Sequence, residues 1–172
     1  MTKQLGIALA LLLLAFPATQ VIAGTEEAQA TIKKFQKKDK GINSFFKSSY
    51  AYAVFPTVGK GGIGIGGAYG KGIVYRGGKK IGTAKLSQVS IGFQLGGQAY
   101  SQIIFFQNKS TFKKFANGDL KFGAGVSAVA VTAGASAAAA FSHGVAVFTM
   151  EKGGLMYEAT VAGQSFKYDG KR

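Results

Sequence analysis

The sequence predicts an α+β protein: a mainly antiparallel β-sheet, sandwich or barrel-like, with an N-terminal amphipathic helix and one short helix. Between Ala51 and Phe106, glycines alternate with apolar residues, which is the period-two pattern of strands rather than of a linker. The glycine pair at 77–78 lies between short apolar runs and indicates a hairpin. The hydrophobic content of 47%, with only two prolines and 16% charged residues, provides a core and argues against disorder.

The start of the chain has the features of a secretory signal. Lys3 provides a positive charge, an apolar run extends from Leu5 to Phe16, and Val21-Ile22-Ala23 provides a small-residue cleavage site. A membrane span needs about 20 apolar residues, so this run favours a cleaved signal over an anchor. We expect a signal peptide over residues 1–23 and a single domain over residues 24–172. The absence of cysteine excludes disulfides, thiolate metal sites and lipoprotein anchoring.

The first element after the signal is predicted to be a helix from Glu26 to Lys40, capped by Thr25 and ended by Gly41. Its apolar face consists of Ala28, Ile32, Phe35 and Ile42, with Asp39 close to it. Its opposite face carries Lys33, Lys34, Lys37, Lys38 and Lys40. Two interpretations remain open and are compatible: a solvated lysine face on a helix packed against the sheet, or a basic face laid on anionic lipid.

The rest of the chain is predicted to be mostly strands. The first strand follows Phe45 and Phe46 and ends at Pro56. Later strands are expected over residues 62–69, 72–76, 87–95, 98–107, 126–131, 145–150, 155–161 and around 166–168. In the first of these, Gly62, Gly64 and Gly66 would form one bare strand face. The run Ile103–Phe106 is apolar on both faces and is expected to be central and covered.

A short helix is predicted between Ser110 and Gly118. A serine or threonine would cap it, Phe112 and Phe115 would point inward, and Gly118 would end it. Periodicity does not decide among helix, strand and loop for the alanine-rich residues 135–140.

Most sequence matches to catalytic or cofactor-binding motifs lack the surrounding residues that the motif requires. Gly62-x-Gly64-x-x-Gly67 matches the dinucleotide fingerprint by letter, but no helix opens there and no acid follows about 20 residues later. His143 is the only histidine, and no Gly-x-Ser-x-Gly elbow occurs. A catalytic pair of carboxylates could still be assembled by folding from Asp119, Glu151 and Glu158. An enzyme therefore stays as a third hypothesis, after a lipid-binding module and a structural or interaction protein. We expect no catalytic residue, no metal site and no cofactor.

The charge predicts an anionic partner. Lysines and arginines number 21 against 7 acids, a net charge of +14, although a solubilising surface is the alternative explanation. Besides the helix lysines, a second group lies around the glycine-rich strands: Lys60, Lys71, Arg76, Lys79 and Lys80. We predict that both groups bind lipid, the helix group foremost because its lysines share a face. A specific nucleic-acid partner is disfavoured by export, although DNA would bind at low salt through charge alone.

Several motifs also resemble a known family. They are Tyr52-Ala-Val-Phe-Pro56, Val58-Gly-Lys-Gly-Gly62, Gly66-Gly-Ala-Tyr-Gly-Lys-Gly72, Gly92-Phe-Gln-Leu-Gly-Gly97, Phe115-x-x-Gly118 and Phe122-Gly-Ala-Gly125. In order and spacing they resemble the SYLF domain, also called the Ysc84 family, over roughly residues 30–168.

The resemblance implies non-catalytic binding of anionic lipids, with phosphoinositide- or phospholipid-type head groups. It also implies an exported bacterial protein, periplasmic or secreted, with peripheral attachment to a membrane left open. The alternative is a structural or interaction protein of the cell envelope, whose partners would be envelope proteins or polymers and which would have no specific lipid ligand.

Overall fold

The computed structural model describes residues 18–63, 65–91, 98–153 and 160–172. Its helices are α1 (Ala18–Lys38), α2 (Asn43–Ser48) and α3 (Lys109–Asn117), with 3-10 turns at Lys40–Ile42 and Ala135–Ala138. Its strands are β1 (Ala51–Ile63), β2 (Ile65–Arg76), β3 (Lys79–Ile91), β4 (Gln98–Phe106), β5 (Ala128–Ala130), β6 (Val145–Glu151) and β7 (Gln164–Gly170). They form one seven-stranded sheet in the order β5-β6-β4-β1-β2-β3-β7. Among the described strands only the β5–β6 pair is parallel, so the predicted α+β class with a mainly antiparallel sheet is confirmed.

The sheet curls until side chains of β7 meet those of β4, although β1, β2 and β3 lie between these strands. The side-chain amides of Gln102 and Gln164 exchange hydrogen bonds of 2.8 and 3.0 Å across the concave side. Tyr100 belongs to the same buried polar group, because its hydroxyl accepts a 3.3 Å hydrogen bond from Gln164. Burial raises the pKa of Tyr100 to about 12, which the hydrogen bond from Gln164 partly offsets. We call this concave side the inner face.

The inner face contains one of two apolar cores. Phe55, Leu86 and Ile104 from the sheet are fully buried there, together with Phe112 and Phe115 of α3. The inward direction predicted for the two α3 phenylalanines is therefore confirmed. The cap is different: the N-cap is Asn108, two residues before Ser110, and its Oδ1 atom accepts the Thr111 N–H at 2.9 Å. Gly118 ends the helix in the left-handed region, with φ 80°, as predicted.

The outer, convex face contains the second core, beneath α1 and α2. The predicted apolar residues of α1 and the following turn are all buried here: Ala28, Ile32, Phe35 and Ile42. The helix begins eight residues before the predicted start, at Ala18, and ends at Lys38. Helix α2 was not predicted: Phe45, expected to lead into a strand, packs its ring 4.9 Å from Phe148 and 5.6 Å from Phe105. Packing of Phe45 and Phe46 against the sheet outweighs the weak preference of aromatic residues for extended backbone.

Two predictions about the glycine-rich strands are wrong. β1 continues through Pro56, where its pairing with both neighbouring strands is irregular and a missing N–H is tolerated. β1 then ends at Ile63 and β2 begins at Ile65, and these two isoleucines pair. The predicted strand over 62–69 is therefore divided between β1 and β2, although Gly62 and Gly66 pair in register and so share one face of the sheet. Gly64 itself lies outside the described residues.

The remaining strand predictions have mixed outcomes. The hairpin turn at Gly77 and Gly78 is confirmed, with φ of 58° and 75°. The run Ile103–Phe106 is buried in β4, between β6 and β1, as expected for a central strand. Strands β6 and β7 lie close to the predicted ranges, whereas β5 is only three residues long. Residues 92–97 and 154–159, which include parts of two predicted strands, lie outside the described residues.

Candidate functional site

Helix α1 presents a basic face to solvent. Lys33, Lys34, Lys37 and Lys38 are exposed on it, and Lys40 is exposed in the turn that follows. The buried apolar residues fix this orientation, because positions separated by three or four residues share one side of a helix. We call these five residues the helix lysines. The predicted sharing of one exposed face by the lysines within α1 is confirmed, and their binding role remains a prediction.

Asp39, the acid closest to the helix lysines in sequence, is turned into the protein and is only 4% exposed. Its carboxylate accepts the Ser136 backbone N–H at 2.6 Å and the Gly41 N–H at 3.0 Å. The Ser136 side chain, followed by the backbone groups of Ser136 and Gly41, holds the pKa of Asp39 below its usual value, although burial opposes this shift. The acid thus anchors the end of α1 to residues 134–136 instead of neutralising the basic face.

The hairpin between β2 and β3 places Lys79 and Lys80 at an exposed tip. The Lys80 Nζ atom donates a 3.1 Å hydrogen bond to the Thr25 hydroxyl, so the tip lies beside the N-terminal part of α1. At about 1.5 Å rise per residue, Lys38 lies about 20 Å further along the helix from Thr25. Lys80 and the C-terminal helix lysines are therefore too far apart to hold one small head group.

Three members of the predicted second group lie on the other face of the sheet: Lys60, Arg76, and Lys79, which pairs with Arg76 in register. Lys60 pairs in register with Ala68, which is buried in the inner core. Arg76 donates a 3.0 Å hydrogen bond to the Tyr50 hydroxyl and lies 5.6 Å from the centre of that ring. The second group therefore does not form one cluster, because strand alternation sends neighbouring residues to opposite faces.

Lys71 belongs to a row of lysines that sequence reasoning missed. Lys71 of β2 pairs with Lys85 of β3, and Lys85 pairs with Lys167 of β7. All three are exposed on the outer face, with directly opposite Cβ atoms about 5 Å apart. We call them the lysine row. The alternation of Lys85 with buried Ala84 and Leu86 is visible in the sequence, but the register that aligns the three strands is not.

A groove of about 730 Å³ lies next to the lysine row, between the start of α1 and the outer face of β1 to β3. We call it the outer groove. Pro56, Tyr69 and Ile73 contribute apolar surface to its lining, and Thr57, Lys71 and Lys85 contribute polar groups. Gly59 also lines it, and a β-carbon built on Gly59 would meet no atom within 4 Å. The floor of the groove at Gly59 is therefore backbone without a side chain, and Lys71 and Lys85 form its basic rim.

Glu27, whose carboxylate lines the outer groove, is already paired. The Glu27 Oε1 atom lies 3.9 Å from the Lys152 Nζ atom and 3.4 Å from the Thr57 hydroxyl that donates to it. Lys152 in turn donates a 2.7 Å hydrogen bond to Thr57. These contacts leave Lys71 and Lys85 without an ion pair in the part of the chain that the structure describes.

Groups suited to catalysis do not converge among the described residues. Nowhere in residues 18–63, 65–91, 98–153 and 160–172 do three or more histidine or acidic side chains gather at metal-binding distance. His143 is exposed, with φ 52°, and its Nδ1 atom lies 3.0 Å from the Ser142 hydroxyl. Glu158, a member of the possible carboxylate pair, lies outside the described residues. Among the described helices, none is long and apolar enough to cross a membrane.

Comparison with known proteins gives the architecture a family. Residues 87–171, from the second half of β3 through β7, match the family model Ysc84, described as Las17-binding protein actin regulator. These residues, just under half of the chain, are similar to the Ysc84 family. The predicted resemblance is thus confirmed, although the motifs between Tyr52 and Gly72 precede the matched span. The family is one of binding modules, and its description names a binding protein and regulator rather than an enzyme.

A curated relative extends the similarity beyond that span. The chain is 25% identical over 153 residues to Beta cell expansion factor A of Aeromonas veronii. The alignment covers 87% of this chain and 57% of the relative. The chain thus spans little more than half the length of that relative.

Proposed function

We propose that this Ysc84-domain chain is an exported, non-catalytic module that binds anionic phospholipid at a membrane surface. Phosphoinositide- or phospholipid-type head groups are the ligand class. The observation that carries the proposal is the face of α1, where Lys33, Lys34, Lys37 and Lys38 are exposed while Asp39 is buried. The net charge of +14 and the family of binding modules support it.

The magnitude of the attraction favours a surface over a single head group. Each lysine close to an anionic membrane contributes about 1 kcal/mol, and the contribution fades within a Debye length of about 8–10 Å. Four helix lysines together supply about 4 kcal/mol, roughly a thousandfold in affinity. Lys80 lies beside the other end of the helix, and an extended lipid surface can contact it together with the helix lysines.

A second candidate function is an interaction module for an acidic protein or an anionic envelope polymer. The family description, which names a protein partner and an actin regulator, favours it. The same basic face would serve such a partner. The two candidates differ in whether lipid alone is sufficient for binding.

Cosedimentation with liposomes tests the proposal. The full chain is mixed at physiological salt with neutral phosphatidylcholine vesicles, and with vesicles that contain increasing phosphatidylserine or phosphoinositide. Binding should rise with anionic lipid and weaken as salt is added, because the attraction is screened. Reversal of Lys33, Lys34, Lys37 and Lys38 to Glu should abolish binding while the circular dichroism spectrum stays unchanged.

The matched control reverses four exposed lysines elsewhere, Lys109, Lys113, Lys114 and Lys171, for the same change in net charge. It should retain most of the binding. Equal losses in the two variants would show that total charge, rather than the helix face, determines binding. Absence of binding to every vesicle would reject the lipid proposal and leave the protein or polymer partner as the candidate.

A further inference from the structure

We propose that the outer groove and the lysine row together hold one phosphate-headed lipid, with its acyl chain in the groove and its phosphate on Lys71 and Lys85. The inference rests on the proposed function for the class of ligand. It assigns a binding site that is separate from the helix lysines. The site holds a single lipid molecule rather than a membrane surface.

The lysine row concentrates positive charge as an anion-binding site does. Like charges directly opposite on neighbouring strands destabilise a sheet, and here two such pairs follow each other across β2, β3 and β7. Among the described residues no carboxylate forms an ion pair with the row. Asp169, two positions beyond Lys167 on the same strand, pairs with Thr83 in register and not with a lysine. Locally unfavourable choices of this kind concentrate at functional sites.

The outer groove supplies what an acyl chain needs. Its volume of about 730 Å³ lies within the range of small-molecule sites. Tyr69, one of two large apolar residues exposed on the described surface, is 49% exposed beside the groove. Its position opposite Gly59 in register leaves an aromatic wall next to bare backbone. A chain lying there would cover apolar surface that the protein leaves open, and each buried methylene would raise affinity about fourfold.

The two halves of the site are contiguous, because Lys71 and Lys85 themselves line the groove. A phosphate held between them would leave the acyl chain directed along the apolar lining. Exposed lysines alone hold free phosphate weakly. An apolar chain without a negative head would leave the lysine row unpaired. The arrangement therefore selects a molecule that has both parts.

Calorimetry with the full chain tests the inference. The probe is 16-carbon lysophosphatidic acid below its micelle concentration, compared with the 12-carbon form, with lysophosphatidylcholine of equal length and with inorganic phosphate. The 16-carbon probe should bind tightest, and loss of four methylenes should weaken binding by about 250-fold. Equal binding of lysophosphatidylcholine would overturn the role of the lysine row. Equal binding of inorganic phosphate would overturn the role of the groove.

Two variants separate the parts of the site. Gly59→Phe fills the groove at a position where a β-carbon meets nothing within 4 Å, and it should abolish binding of the probe. Gly123→Phe is the matched control, since Gly123 is equally open but lies outside the groove. Lys71→Ala with Lys85→Ala should weaken binding by about 30-fold. This pair keeps the test valid if Gly59→Phe does not fold. Unchanged probe binding in folded variants overturns the inference.

The variant with four reversed helix lysines distinguishes this inference from the proposed function. It should lose binding to liposomes and keep binding to the soluble probe, because its changes lie outside the groove. Failure of the groove variants to affect the probe would reject the single-lipid site and leave the surface proposal standing. Probe binding without any liposome binding would reject the surface proposal and leave the single-lipid site standing.

Discussion

At the scale of single residues, Asp39 shows how the pattern of a helix can mislead. Near the apolar face it looks like an error in the amphipathic pattern, yet it is buried because it accepts the N–H groups of Ser136 and Gly41. Its partner Ser136 is 97 residues further along the chain. A hydrogen bond over such a separation leaves no local signal. The sequence could therefore predict that Asp39 is unusual but not what it binds.

The lowered pKa of Asp39 predicts a stability difference that depends on pH. The carboxylate contributes stability that is complete above the unfolded value near 3.8 and is lost as the pH falls through the lower folded value. Asp39→Asn should lower the free energy of unfolding by about 1–3 kcal/mol at neutral pH. The deficit relative to the original chain should shrink in acid below pH 3.8. Urea unfolding at several pH values measures it.

Asp119→Asn, which removes an exposed charge, is the control for Asp39→Asn and should change stability little at any pH. A deficit in Asp39→Asn that stays constant from neutral pH into acid would contradict the assigned role of the carboxylate.

At the scale of elements, alternation identified strands well and turns poorly. Ile103–Phe106, apolar on both faces, is indeed central, and the glycine pair at 77–78 is indeed a turn. The hairpin between Ile63 and Ile65 was missed because its glycines keep the same period through the reversal. Lys85 and Lys167 were missed as site residues for a related reason. The alternation around each lysine in the sequence predicts that it is exposed. Only the register between β3 and β7 shows that Lys85 and Lys167 are neighbours.

The glycines of β2 give a prediction at this scale. A β-carbon at Gly72 would lie 2.7 Å from both the Phe55 ring and the Val54 carbonyl oxygen. Gly72→Ala should therefore lower the free energy of unfolding by about 1–3 kcal/mol through overpacking. Gly59→Ala, with open space around the same atom, should have an effect smaller than about 1 kcal/mol. Thermal and urea unfolding compare the stabilities of the two variants. Equal effects would show that β1 and β2 do not approach as closely as described.

At the scale of the whole molecule, the curled sheet separates stability from binding. The inner face is closed by α3 and by a buried polar group that joins β4 to β7. The outer face is only partly covered, because α1 and α2 lie over one core and leave the lysine row in solvent. The two basic regions of the proposals, the helix lysines and the lysine row, therefore both belong to the outer side of the molecule.

The last prediction concerns the start of the exported chain. Cleavage after Ala23 would leave Gly24 as the first residue and remove the first six residues of α1, from Ala18 to Ala23. The buried residues of α1 named above, Ala28, Ile32 and Phe35, are all retained, so the shortened domain should fold with the same described core. Intact mass of the protein recovered after export should match a chain starting at Gly24. Its melting temperature should lie within a few degrees of that of the full chain, because the described core is retained.

Ala23→Pro, which disrupts the small-residue cleavage site, is the matched control and should give a species that retains residues 1–23. If the original chain also keeps these residues after export, the segment is an anchor rather than a signal. The membrane would then hold the protein through its N-terminus, and charge reversal on α1 would leave it attached. Processing at Gly24 instead leaves the outer face to provide the attachment. It also places a new α-amino group at the rim of the outer groove, which Gly24 lines.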